Sequence, residues 1–133
     1  ILLINFKRAK LEKIMNTFEA KHISVSINGS VNDVYNFILN LDNLPSWASG
    51  LKNVGVKFVD KNQYGVVDHY VSLDSGETLY IPMRVLPNHD GSEVLFTLYR
   101  RPEMSEKQFA DDAEWVKKDL GKLKKVIETS LMS

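Results

Sequence analysis

Cysteine is absent from this chain, which excludes disulfides, thiolate zinc sites and cysteine nucleophiles together. A reducing cytoplasm suits that composition and is the expected compartment. Net charge is missing as well, because 17 Lys+Arg balance 17 Asp+Glu. A partner held mainly by phosphate neutralisation is therefore disfavoured, and nucleic acid is not expected. No stretch approaches the roughly 20 apolar residues that a membrane span needs, so none is expected. A Gly-x-Ser-x-Gly elbow, a phosphate-binding glycine loop and a Rossmann fingerprint are all lacking. His22, His69 and His89 fall on a strand, another strand and a turn, without carboxylates at supporting spacing. Neither a metal site nor a cofactor is expected.

What is present suits one globular domain: 133 residues, 44% of them hydrophobic and 26% charged, enough to close a single core. At the start, Ile1-Leu2-Leu3-Ile4 precedes Lys7, Arg8, Lys10 and Lys13, the reverse of the order in a secretory signal. Ile4, Leu11, Ile14 and Phe18 recur at near-helical spacing. Residues 1–14 thus read as an N-terminal extension able to form a short helix, and residues 15–133 as a single domain.

Within the domain, Ile23, Val25 and Ile27 alternate with His22, Ser24 and Ser26, the period of a half-buried strand. Asn28-Gly29 ends it, and Ser30 with Asp33 starts a helix whose apolar face is Val31, Val34, Tyr35 and Ile38. Pro45 then suits the first turn of a second short helix, with Trp47 as an apolar anchor. Strands follow at 54–59, 66–73, 77–86 and 92–101, with glycine turns at Asp74-Ser75-Gly76 and Asn88-His89-Asp90-Gly91. A three-residue first loop sets Val71 opposite Leu79, His69 opposite Ile81 and Val67 opposite Met83. A four-residue second loop sets Val85 opposite Val94, Met83 opposite Phe96 and Ile81 opposite Leu98. One sheet face then comes out almost wholly apolar, while the other carries Asp68, Tyr70, Tyr80, Arg84, Glu93, Thr97 and Tyr99.

The last segment opens on a capping box, Ser105-Glu106-Lys107-Gln108, and carries Phe109, Ala113, Val116, Leu120, Leu123, Ile127 and Leu131 on one helical stripe. Acids early and lysines late match the helix dipole. Strands in series followed by one long helix predict an α+β fold with an antiparallel sheet, and the helix stripe must cover the apolar sheet face.

Several segments taken together resemble a known family. Leu44-Pro45-Ser46-Trp47, Tyr64-Gly65-Val66-Val67-Asp68-His69, Pro82-Met83-Arg84-Val85, Gly91-Ser92-Glu93-Val94 and the stretch 96–128 with Arg100-Arg101-Pro102-Glu103-Met104-Ser105 look like the polyketide cyclase/dehydrase-like branch of the START-like (SRPBCC) superfamily. The resemblance covers roughly residues 17–128 and implies a helix-grip fold: a curved antiparallel sheet wrapped around a long C-terminal helix, two short helices after the first strand, and a tunnel for lipids, polyketides or similar apolar molecules. Between Leu51 and Gln63 the chain is short by about one β-hairpin against that pattern. An open cavity end or an unprotected sheet edge is expected there, and an edge allows a homodimer.

His69 is the candidate catalytic residue, alone among Val67, Val71, Ile81 and Leu98 on the inward face. It reads either as a ligand-binding or acid/base group, or as a core histidine satisfied by backbone or water. Asp68 points to the opposite face, so the two form no simple dyad. The expected ligand-binding wall is Trp47, Val67, His69, Val71, Ile81, Met83, Phe96 and Leu98, faced by Phe109, Val116 and Leu120. Tyr70, Tyr80 and Tyr99 form an outer aromatic stripe, or a polar wall if the faces are reversed. Arg84 can clamp an anion or pair with Glu93 or Asp68, and Trp47 and Trp115 pack, gate or flank the cavity. Three functions follow: a carrier or sensor of a small apolar molecule, a cyclase or dehydratase using His69, and a protein-interaction module working through the edge near residues 54–59 or the leader.

Overall fold

The computed structural model describes residues 16–51 and 54–132, so the leader helix expected over residues 1–14 lies outside the described residues. In order the chain forms β1 (Ala20–Ile27), α1 (Val31–Leu39), two 3₁₀ turns (Leu41–Ser46 and Ser49–Leu51), β2 (Gly55–Phe58), β3 (His69–Ser72), β4 (Thr78–Ile81), β5 (Met83–Asn88), β6 (Gly91–Tyr99) and α2 (Glu106–Met132). The α+β expectation, antiparallel pairing and a long C-terminal helix are all present.

Both helix starts form as their side chains dictate. Ser30 Oγ accepts from the Asp33 amide at 3.1 Å. At α2 the box closes reciprocally, with Gln108 N donating to Ser105 Oγ at 3.1 Å and Ser105 N to Gln108 Oε1 at 3.0 Å. The α2 stripe then buries Phe109, Leu120, Leu123 and Ile127, chiefly against β1. The end of α2 is tied down by Glu128, whose Oε2 accepts from Asn28 N at 2.8 Å and from Lys124 Nζ at 2.7 Å. The second short helix forms as a 3₁₀ helix over Leu41–Ser46, with Pro45 near its end rather than in its first turn.

The expected registers hold around both hairpins: His69 pairs with Ile81 and Val71 with Leu79, Val85 with Val94 and Met83 with Phe96. Two details differ. The second hairpin is tighter than expected, with Asn88 already paired to Gly91. The left-handed residue there is His89, at φ 51. Gly91 serves another need, since a Cβ on it would stand 2.6 Å from the Ile27 carbonyl oxygen.

The larger correction concerns the sheet. The single strand expected over 77–86 is broken at Pro82, and the strands form two sheets, β1-β6-β5 and β2-β3-β4. Proline has no amide to donate, which favours a break in the ladder there. The β3 register persists past the break, with Val67 N bonded to the Met83 carbonyl at 2.9 Å and Val85 N to the Gly65 carbonyl at 2.8 Å. The β5–β6 ladder, however, ends at Met83–Phe96, followed only by Thr97 N donating to the Pro82 carbonyl at 3.0 Å. Ile81 and Leu98 therefore do not pair, and a seam opens between β4 and β6. β2 is the four-residue edge of its sheet, where the shortened segment led an edge to be expected.

Candidate functional site

A cleft of about 170 Å³ lies between the strands and α2. Trp47, Ala48, His69, Phe96 and Leu120 give its buried lining, and Leu51, Ile81, Leu98 and Val116 complete an apolar wall. Asp112 and Trp115, both exposed, mark its mouth beside Asp119. Seven of the expected ligand-binding residues thus converge: Trp47, His69, Ile81, Phe96, Leu98, Val116 and Leu120. Val67, Val71, Met83 and Phe109 are buried away from this lining. Phe109 instead packs under the Lys21 ammonium, 4.8 Å from the ring centre.

His69 is 2% exposed and sits between Phe58, at 5.1 Å between ring centres, and Phe96, at 6.3 Å. Its Nδ1 lies 3.1 Å from the Val67 carbonyl oxygen. A carbonyl only accepts, so Nδ1 carries the proton and Nε2 keeps a lone pair. Burial holds the ring below its ordinary 6.5, opposed by that carbonyl bond. The ring is neutral at pH 7, and the backbone satisfies one of its nitrogens, as the core-histidine reading expected.

This carries a stability consequence. Between pH 6.5 and the lower native value the unfolded chain holds a proton that the folded chain lacks, so stability rises with pH across that window. The contribution is complete above 6.5 and is lost on acidification. Urea denaturation of wild type and His69→Leu at pH 5, 6 and 7 should give a flatter profile for the variant, the difference not exceeding about 1.4 kcal/mol per pH unit for one proton. Parallel profiles would refute the assignment.

Trp47 contributes a different feature. It is 4% exposed, and its indole Nε1 is buried with no hydrogen-bond partner among the described residues. At the mouth, Ser49 Oγ donates to Asp119 Oδ1 at 2.9 Å, and burial pushes the Asp119 carboxyl above its usual range despite that bond. A neighbouring groove of about 410 Å³ shares Ile81, Leu98 and Asp112 with the cleft. The unpaired β4–β6 seam is where the two adjoin.

On the outer face, Asp68 is a structural hub. Its Oδ1 accepts from the Met83 amide at 2.8 Å and from Arg84 Nη1, and its Oδ2 from the Tyr80 hydroxyl. Arg84 therefore pairs with Asp68, while Glu93 accepts from Ser26 and Asn88. Tyr70 and Tyr80 pack at 5.3 Å between ring centres, as an outer stripe requires.

No family model matches the sequence, and no curated protein does. Solved structures are similar in fold. DynU16, from the dynemicin biosynthetic locus, superposes with a TM-score of 0.69 at 12% identity over 84% of this chain, which spans only 48% of that protein, about half its length. CalU16 from Micromonospora echinospora gives a TM-score of 0.62 at 10% identity, covering 81% of this chain and 73% of that one. An AHSA1-like protein from Rhizobium etli gives 0.62 at 13% identity, covering 85% and 84%.

The chain has the helix-grip fold.

In this helix-grip domain the cleft lies between sheet and C-terminal helix, where the family resemblance implied a tunnel. Sequence reasoning missed Ala48, Leu51, Asp112 and Asp119 among its lining. A signal existed for the last two: Asp112, Trp115 and Asp119 follow helical steps beside the apolar stripe. The orphaned Trp47 donor had none, because sequence does not tell which donors will lack acceptors.

Proposed function

We propose that this helix-grip domain binds a small uncharged apolar molecule in the cleft between its strands and α2. The observation that supports this reading is a lining almost wholly of apolar side chains around about 170 Å³. An apolar cavity of about 150 Å³ accepts benzene, whereas drug-sized ligands occupy roughly 300–1,000 Å³. A single ring or a short alkyl segment suits this cleft. Any longer lipid or polyketide would have to extend across the β4–β6 seam into the adjoining groove.

Titration with toluene, followed by ligand-observed NMR, tests the reading, together with native mass spectrometry of gently purified protein. Saturable binding is expected for wild type. Ala48→Phe, which places a ring in the cleft, should weaken it by about tenfold or more while the domain stays folded. A wild type that binds no apolar probe would sink the proposal.

A second reading draws on His69 Nε2: a cyclase or dehydratase reaction with this nitrogen as proton acceptor. Its depressed basicity and the lack of a carboxylate partner among the described residues favour binding over proton abstraction. Turnover of a candidate substrate that His69→Gln abolishes, without loss of binding, would favour the reaction instead.

A further inference from the structure

We propose that residues 1–6 of this chain seat as an extended segment in the groove between β4 and β6, pairing with the free edge of β4. The inference goes beyond the cleft-binding reading and does not depend on it.

Backbone alternation fixes which polar groups face that groove. Leu73 N donates to the Glu77 carbonyl at 2.8 Å. Antiparallel pairing alternates from there, so Leu79 and Ile81 also turn their backbone groups to β3, while Thr78 and Tyr80 turn theirs away from it. On the opposite bank Thr97 N donates to the Pro82 carbonyl at 3.0 Å and Arg100 N to the Glu19 carbonyl at 2.8 Å. Tyr99, between them, therefore turns its amide and carbonyl away from β1 and toward β4. Among the described residues no backbone hydrogen bond joins Thr78 or Tyr80 to Tyr99. Two strand edges thus face each other unpaired across a groove of about 410 Å³, and a free edge is a template for a further strand. The lining is apolar, with exposed Phe18, Tyr80 and Tyr99 beside Leu79, Pro102 and Met104.

Residues 1–6 match this groove in composition, placement and charge. Ile1-Leu2-Leu3-Ile4 and Phe6 make a short apolar run of the kind that forms buried strands, with Asn5 its one polar member. The chain leads them to the site, since Phe18 lines the groove and packs edge-on against Tyr99 at 6.4 Å between ring centres. Residues 7–15 span up to roughly 30 Å, against roughly 14 Å for the four residues of β4, so the reach suffices. Lys7, Arg8, Lys10 and Lys13 outnumber Glu12 in that connection. Glu77 and Asp112 line the groove, and Arg101, its one cation among the described residues, is already paired with Glu77 and Glu103 at 3.4 Å each. A covalent tether presents the segment at an effective concentration on the order of millimolar, ahead of any separate chain. Seated there, it fills the space into which a ligand longer than a ring would extend from the cleft past Ile81 and Leu98.

The test uses the full chain, whose lack of cysteine lets a single one be introduced cleanly. A nitroxide on Asn5→Cys should broaden the amide NMR signals of Thr78, Tyr80 and Tyr99 and leave that of Gly91, at the far end of β6, sharp. Unlabelled nitroxide-bearing chain mixed with isotope-labelled wild type should broaden none of them. Broadening in the mixture would assign the groove to a second copy, and no broadening within the single chain would leave it to another partner or ligand; either result overturns the inference. Hydrogen exchange adds a readout of pairing. The Thr78 and Tyr80 amides should exchange about tenfold or more slowly in wild type than in the double variant Leu2→Asp/Ile4→Asp, with Leu79 and Ile81 unchanged. Equal rates for Thr78 and Tyr80 in the two proteins would overturn the pairing with β4. Both substitutions lie outside residues 16–132, and the Leu79 and Ile81 rates report whether the domain is intact.

Discussion

Asp68→Ala is expected to lower the unfolding free energy by about 3 kcal/mol, measured by urea denaturation with an unchanged denaturant slope. The carboxylate is 4% exposed and joins three donors from two strands: the Met83 amide, the Tyr80 hydroxyl and Arg84 Nη1. Removing it strands a fully buried amide, since Met83 is 0% exposed, and leaves a guanidinium without its counter-charge. Loss of one partner from a fully buried pair costs about 3–5 kcal/mol. The Arg84 side chain is 37% exposed, so water recovers part of its solvation, which places the expectation at the low end. Asp68→Asn, which retains an acceptor for Met83, should cost about half as much. In a double-mutant cycle, Arg84→Leu should cost less in the Asp68→Ala background than alone, because the charge it removes is then already unpaired. A cost for Asp68→Ala within about 0.5 kcal/mol, as for ordinary surface positions, would show that the hub contributes nothing.

Gly65→Ala should be comparably damaging, by roughly 3 kcal/mol. Gly65 adopts φ +72, and a Cβ there would lie 2.2 Å from the Val85 carbonyl oxygen. Both colliding partners are backbone, and the neighbouring Val85 amide is bonded to the Gly65 carbonyl at 2.8 Å, so relief would break the ladder that carries β3 past Pro82. Gly76 supplies the control. It too is left-handed, at φ +87, but a Cβ would meet nothing within 4 Å, so Gly76→Ala should cost only the conformational term of about 1–2 kcal/mol. Equal costs at the two glycines would mean that close backbone approach plays no part. The loop holding Gly65 is organised by Asn62, whose Oδ1 accepts from Tyr64 N and Val66 N at 3.0 and 3.1 Å and whose Nδ2 donates to the Val66 carbonyl at 2.9 Å. Nothing in the local sequence distinguished this asparagine, since its role depends on the whole loop closing around it.

Local patterns reached far in this protein because they act between neighbours in the chain. The alternation in β1, the two hairpin turns and the box at Ser105 and Gln108 determined which side chains face inward, which residues pair and where α2 begins. A two-residue period and a short loop leave little freedom, so His69 was placed on the inward face opposite Ile81 from sequence alone. What only the tertiary structure decided depends on segments that approach from far apart. Pro82 was a visible signal for a strand break, but that the break leaves β4 and β6 unpaired beside the cleft depends on how the two three-stranded sheets meet. The 170 Å³ of space, the burial of Asp119 against Ser49 and the unmet Trp47 donor arise the same way. Sequence determines which groups a chain carries and which way a strand turns them. Packing decides which of those groups end buried without a partner, because that depends on every surrounding side chain at once.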